Sequence, residues 1–229
     1  MPYLSTPTPP GLETGLITVS VETGMTSRQS LRREMRKRRG RVTRAGRDAC
    51  AAQLAQIIAR EPLVRNSRRI AAYFPVNGEM DPRPLMNYLW ALGRSLYLPV
   101  LVGLHERRLW FSAYTPGDAL VCNRYGIPEP ARVHGRRIKT TALDLVLMPL
   151  VAFDATGHRL GMGGGYYDQC FGFLNRRTCW RKPRLVGLAY EFQQLPFIKP
   201  EPWDVALDAI ATERHVYHCN RIDATPCRA

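Results

Sequence analysis

Seven residues in a row, Leu145-Val146-Leu147-Met148-Pro149-Leu150-Val151, are apolar, and soon afterwards four glycines fall within five positions, at 161 and 163–165. The apolar run is bounded by turn signals and reads as a buried strand. The segment therefore leaves a sheet and enters a connection whose backbone is free to adopt positive φ. In full, the connection ends Arg159-Leu160-Gly161-Met162-Gly163-Gly164-Gly165-Tyr166-Tyr167-Asp168. Glycine at this density lets successive N–H groups turn towards one point, a concavity that suits a phosphate oxygen. Arg159 can add charge-assisted, bidentate contacts. Asp168 offers a hard oxygen ligand for a phosphate-bound magnesium. The plain alternative is a glycine-rich connection that binds nothing. Neither standard nucleotide motif fits: no lysine is present for a Walker loop, and Tyr166 stands where a dinucleotide fingerprint needs its third glycine.

The rest of the chain alternates helical and strand patterns. Thr26 or Ser27 can cap a helix through Leu31, Met35 and Arg39, and Thr43 can open a second one to about Arg60, closed by Pro62. Ile70 to Phe74 reads as a strand, followed by the loop Pro75-Val76-Asn77-Gly78-Glu79-Met80. Asp81-Pro82 then begins a helix that Gly93 stops. Strands are expected over 95–101, 109–114, 143–151 and 185–190, with a helix over 166–175 and a short last strand within 208–217. The section 115–137 is turn-rich. Strands alternating with helices predict a single α/β domain with a largely parallel sheet, over 25–218. In such sheets ligands gather beyond the carboxyl ends of strands. Two loops there carry unusual chemistry: the one presenting Glu79 and the glycine run. Glu79 is either a ligand contact or an ordinary surface carboxylate.

Residues 1–24 are rich in Thr, Pro and Gly and are expected to be disordered, as is a loose tail at 219–229. A start at Met25 would leave a complete domain. No basic segment followed by an apolar one marks a secretory signal. No apolar run approaches the roughly 20 residues needed to span a bilayer, so a soluble, cytoplasmic protein without a membrane partner is expected. The six cysteines form no CxxC pair and read as reduced thiols. His215, His218, Cys219 and Cys227 are too loosely arranged for a zinc site and read as a solvated tail. The net charge is +14, and residues 28–47 contribute +9 of it through ten Arg and Lys against Glu34. That segment is a solvated helix face, a nucleic-acid contact or a contact with nucleotide phosphates. It lacks the interleaved aromatics of single-strand binders.

Five blocks occur in order: Ser27-Arg28-Gln29-Ser30-Leu31-Arg32, Asn77-Gly78-Glu79-Met80-Asp81, Tyr125-Gly126-Ile127-Pro128-Glu129-Pro130, Arg159 to Asp168, and Pro200-Glu201-Pro202-Trp203-Asp204. On these residues the chain resembles the 5-formyltetrahydrofolate cyclo-ligase family, from about Arg28 to His218. The resemblance implies a three-layer α/β/α fold like that of ribose-phosphate isomerase and CoA transferase domains. It also implies an ATP- and magnesium-dependent ligase converting 5-formyltetrahydrofolate, with or without extra glutamates, into 5,10-methenyltetrahydrofolate, with ADP and phosphate released. Transfer of the γ-phosphoryl group to the formyl oxygen turns a poor leaving group into phosphate, and ring closure follows. This chemistry asks for positioning and charge neutralisation.

By the same resemblance, Arg28 and Arg32 contact ATP, their i, i+4 spacing letting both reach one ligand. Arg159, the catalytic residue, and the stretch Leu160, Gly161, Met162, Gly163, Gly164, Gly165, Tyr166 and Tyr167 hold the phosphates. Asp168 and Asp204 bind magnesium. Phe74, Glu79 and Tyr166 line the folate pocket. Two departures stand out. Many members carry a basic residue inside the glycine block where this chain has Met162 and Gly164, so more of the charge falls on Arg159, the backbone and magnesium. Arg28 stands where lysine is common, a change of hydrogen-bond geometry. A monomer is expected. Two other classes remain open: a basic nucleic-acid-binding protein, which leaves the glycine block, Glu79 and Asp204 unexplained, and a noncatalytic folate or nucleotide binder on the same fold.

Overall fold

The computed structural model describes residues 27–103, 107–177 and 181–219. The loose segments expected at 1–24 and beyond Cys219, with Cys179 and Cys227, lie outside the described residues.

The helices are α1 (Arg28–Arg41), α2 (Arg44–Ile58), α3 (Pro62–Arg65), α4 (Arg83–Ala91) and α5 (Tyr166–Phe171). Ser27 and Thr43 cap the first two, their hydroxyl oxygens accepting from the backbone N–H of Ser30 at 3.2 Å and of Gly46 at 3.1 Å. Pro62 does not close α2, which ends at Ile58; it opens α3 at a first-turn position where its missing N–H costs nothing. Asp81 Oδ1 accepts from the backbone N–H of Arg83 at 2.9 Å at the start of α4. The expected 166–175 helix is split, because α5 tightens into a 3-10 segment over Gly172–Arg176.

The strands are β1 (Arg69–Ala71), β2 (Ser95–Val102), β3 (Arg108–Tyr114), β4 (Leu120–Cys122), β5 (Pro128–Pro130), β6 (Arg137–Ile138), β7 (Leu145–Pro149), β8 (Ala152–Phe153), β9 (Arg159–Leu160), β10 (Arg184–Leu188), β11 (Ala209–Ala211) and β12 (Val216–His218). Eight of them form one sheet in the order β12-β11-β10-β7-β1-β2-β3-β6. Its five central strands, β11 through β2, are parallel, and antiparallel strands close both edges. The β1 ladder stops at Ala71, short of the expected Phe74. The N–H of Ala72 still donates to Tyr97 O at 2.9 Å, but Pro75 has no N–H to donate, and the chain reverses at Asn77 and Gly78. Residues 208–217 hold a hairpin limb rather than one strand: β11 pairs with β12 from Ala209↔His218 to Ala211↔Val216, so the expected polar tail begins later.

Side-chain alternation on β7 shows the layers. Leu145 and Leu147 pack with Leu54, Ile58, Leu85 and Leu89 of α2 and α4, whereas Val146 and Met148 pack with Phe171 and Leu174 on the opposite face. A strand covered on both faces reads as a continuous apolar run, as this one does. Gly187 of β10 lets two leucines close over the sheet; a Cβ there would lie 2.6 Å from Leu150 Cδ2 and 2.7 Å from Leu207 Cδ1. The result is a three-layer α/β/α arrangement, as expected.

α1 lies outside those layers. With Leu31 alongside, Met35 packs on Val151, Ala152, Leu160, Leu195 and Ile198, in a small cluster around the β8–β9 hairpin. Buried Asp154 organises the hairpin turn, accepting from the N–H of Thr156 at 3.0 Å, of His158 at 3.1 Å and of Ile198 at 2.9 Å. His218 Nε2 lies 3.3 Å from Glu61 Oε2, and no cluster of three potential metal-ligating side chains occurs among the described residues. No described helix is long and apolar enough to cross a membrane.

Candidate active site

From β1 the chain winds outward to β2, and from β7 it winds the other way to β10 and β11. Neighbouring strands that part in this way leave a crevice at their carboxyl ends. A cavity of about 530 Å³ opens at that point.

The loop after β1 forms one wall. Asn77 and Gly78 both have positive φ, 50° and 72°, and the N–H of Glu79 donates to Val76 O at 3.0 Å, which makes a tight reversal. The turn folds Glu79 back into the cavity, where its Oε2 accepts from the N–H of Val76 at 3.1 Å. Glu79 is only 5% exposed. Burial pushes its carboxyl up to about 7, against the pull of the Val76 N–H and of the Arg39 guanidinium. Phe74 lies beside it, edge-on to Tyr114 at 5.6 Å.

The glycine run forms the opposite wall. Gly163 and Gly165 take φ values of 102° and 68°, which an L side chain rarely adopts. None of the backbone N–H groups from Gly161 to Gly165 has a hydrogen-bond acceptor within the described protein. Backbone donors left unpaired in this number are uncommon, and here they border a cavity. Arg32 of α1 donates through Nε to Gly161 O at 2.8 Å and lies across Gly163. Arg28, one turn earlier, donates to Lys199 O at 2.7 Å and to Asp204 Oδ2 at 2.9 Å. The two arginines thus clasp the glycine run and the 199–204 segment from one helix.

Arg159, at the end of the hairpin, is buried. Its Nη1 donates to Val205 O and its Nη2 to Asp168 Oδ1. Desolvation lowers its pKa, and the carboxylates of Asp168 and then Asp204 oppose that shift. Asp168 Oδ1 also accepts from the N–H of Val205 at 3.2 Å, and Asp204 Oδ2 from that of Glu201 at 2.9 Å. Each expected metal ligand therefore supports an arginine with one oxygen and keeps a second oxygen without a protein partner.

All the residues singled out from the sequence border this one cavity except Leu160. Leu160 is 1% exposed and packs with Met35 and Val151, so its side chain belongs to the α1 contact, because alternation along β9 sends it away from Arg159. Several lining residues were not singled out: Tyr73, Tyr125, Ile127, Pro149 and Trp203. Tyr125 meets the Tyr166 hydroxyl at 3.0 Å, and Arg124 donates to the same hydroxyl at 2.7 Å. The tyrosine belongs to a block already visible in the sequence. A second concavity of about 830 Å³, bordered by Arg107, Arg108, Arg137 and Lys139, holds none of the expected residues.

With this geometry in hand, similarity to known proteins is specific. The family model described as the 5-formyltetrahydrofolate cyclo-ligase family matches residues 24–213. The 5-formyltetrahydrofolate cyclo-ligase of Haemophilus influenzae is 35% identical over 182 residues, covering 79% of this chain and 94% of that protein. Its counterpart from Escherichia coli is 35% identical over 185 residues, covering 80% and 98%. The NMR structure of Aquifex aeolicus 5,10-methenyltetrahydrofolate synthetase superposes with a TM-score of 0.70 at 28% identity, over 85% of this chain and 93% of that one. The synthetase from Mycoplasma pneumoniae shares the fold, with a TM-score of 0.62 at 22% identity, over 82% and 99%.

Proposed function

The chain belongs to the 5-formyltetrahydrofolate cyclo-ligase family, and from that premise we propose that it closes 5-formyltetrahydrofolate to 5,10-methenyltetrahydrofolate, with ATP converted to ADP and phosphate. One observation carries the reading. A single cavity brings together unpaired backbone N–H groups, three arginines and a buried carboxylate, which suits a nucleotide on one side and a folate on the other. The free thiols of Cys50, Cys122, Cys170 and Cys219 suit a reducing cytoplasm.

In this reading the N–H groups of Gly161 to Gly165 receive phosphate oxygens, and Arg28 and Arg32 add charge from α1. Arg159 is the catalytic cation: the formyl oxygen attacks the γ-phosphorus while the bond to ADP breaks, and the guanidinium stabilises the charge that develops. The neighbouring nitrogen then attacks the formyl carbon and gives up its N–H proton to water, the C–O bond breaks, and phosphate leaves. Glu79 accepts hydrogen bonds from folate N–H groups, and Phe74 and Tyr166 offer ring faces to its bicycle. Magnesium needs only one or two carboxylates beside phosphate oxygens and water, which the unpartnered oxygens of Asp168 and Asp204 fit. When bound with the nucleotide it supplies neutralisation of phosphate charge.

The test is to mix the protein with 5-formyltetrahydrofolate and Mg-ATP and follow methenyltetrahydrofolate by its near-ultraviolet absorbance. An ATP-dependent rise is expected. A folded protein that gives none would overturn the assignment.

A further inference from the structure

Arg39 has no place in the roles above, yet its guanidinium is the least explained charge among the described residues. It is 0% exposed and lies on the α1 stripe that continues Leu31 and Met35. Its Nε has no hydrogen-bond partner. Its Nη1 lies 3.5 Å from Leu150 O, a carbonyl that also accepts from Gln193 Nε2 at 3.1 Å. Its Nη2 has only the Met162 sulfur, at 3.9 Å. The remaining neighbour is Glu79 Oε1, 4.0 Å from Nη1. A buried cation with partners this poor is not retained for stability, since an apolar side chain of similar volume folds as well or better. Its position accounts for it. Arg39 lies beneath the cavity, with Gly78 of the Glu79 turn against its backbone and Met162 of the glycine run above its guanidinium.

We infer that Arg39 is a positioning residue for Glu79, a buried cation that favours the ionised form of this carboxylate against the effect of burial and keeps it turned into the cavity as a hydrogen-bond acceptor. The inference rests on the folate-side role proposed for Glu79. The charge acts through a short, buried gap, where opposite charges favour each other's ionised form. The other groups that bear on the pair are Tyr73 beside β1, Tyr167 of α5, Tyr190 after β10 and Arg36 of α1. Burial raises the tyrosines, so they stay neutral where the carboxyl titrates. Among the described residues Arg39 is the cation that pairs with the carboxylate, at 4.0 Å.

Carboxyl carbon-13 NMR on the full chain reads the effect without substrate, with Glu79 assigned by its loss in Glu79→Gln. In Arg39→Met the Glu79 midpoint should rise by at least one pH unit, a tenfold change in its ionisation, and Arg39→Lys should restore part of it. The KM for 5-formyltetrahydrofolate at pH 7 should rise about tenfold in Arg39→Met, with kcat and the KM for ATP nearly unchanged. An unmoved midpoint overturns the inference. Should Arg39→Met not fold, the nitrogen-15 shifts of the Arg39 side chain in the wild-type chain decide. They should titrate with Glu79 and become flat in Glu79→Gln; flat shifts in both refute the pairing. Because the titration needs no turnover, it can succeed even where the cyclo-ligase assay fails.

Discussion

Replacing Arg159 with glutamine separates the catalytic reading from a purely structural one. The wild-type guanidinium donates to Val205 O and to Asp168 Oδ1. A glutamine amide is shorter, carries no charge and can keep one of these bonds at most. Breaking a buried ion pair costs about 3–5 kcal/mol. The Asp168 side chain retains 23% exposure, however, so water takes up part of that loss and about 2–3 kcal/mol is expected. For a domain of this size each kcal/mol lowers the melting midpoint by about 2–4 °C, a fall of about 4–12 °C in all. Catalysis should suffer more. Losing one preorganised group at a developing charge costs about 2.7–4 kcal/mol, or 10²–10³-fold in kcat. The assay is kcat for methenyltetrahydrofolate formation at 15 °C, well below either midpoint, with circular dichroism confirming the fold. A folded Arg159→Gln protein with kcat within threefold of wild type would refute the assignment. A loss that merely followed the unfolded fraction would do so as well.

Two further outcomes follow from buried groups. Glu79 has a folded-state pKa of about 7, above the ordinary 4.5, so the folded chain holds this proton more tightly than the unfolded one. Its contribution is complete below about pH 4.5 and lost as pH rises through 7, and is worth about 3 kcal/mol. Urea denaturation from pH 5 to 8 should therefore show a shallower decline in Glu79→Gln than in wild type, and equal slopes would count against the burial described. At Gly187, alanine forces Leu150 and Leu207 apart and should cost about 1–3 kcal/mol, read as a lower melting midpoint; an unchanged midpoint would contradict the packing over β10.

The features legible in the sequence were those with local causes. The β7 run was visible because a strand covered on both faces has no polar positions. Positive φ at Gly163 and Gly165 was visible because little else tolerates it. Arg28 and Arg32 shared a face through helical spacing alone. The β8–β9 hairpin was not visible, because strands of two residues have no period to detect. Arg39 was obscured by the arginines around it, although its i, i+4 step from Met35 marked it as inward-facing. Asp168 and Asp204 show a different difficulty. Residue type suggested Asp168 as a metal ligand and the family resemblance added Asp204, while only the folded chain revealed the arginines each one holds.

α1 sits on the three-layer body through a small apolar cluster and the side chains of Arg28, Arg32 and Arg39, yet it forms one wall of the cavity. The sheet and its two helical layers do not need that wall in order to close. Docking of the first helix and occupancy of the site are therefore linked equilibria: a ligand held across α1 and the glycine run would favour the docked α1. If the proposed nucleotide binds there, protection of α1 from proteolysis should rise with its concentration, readable in a protein that never turns over.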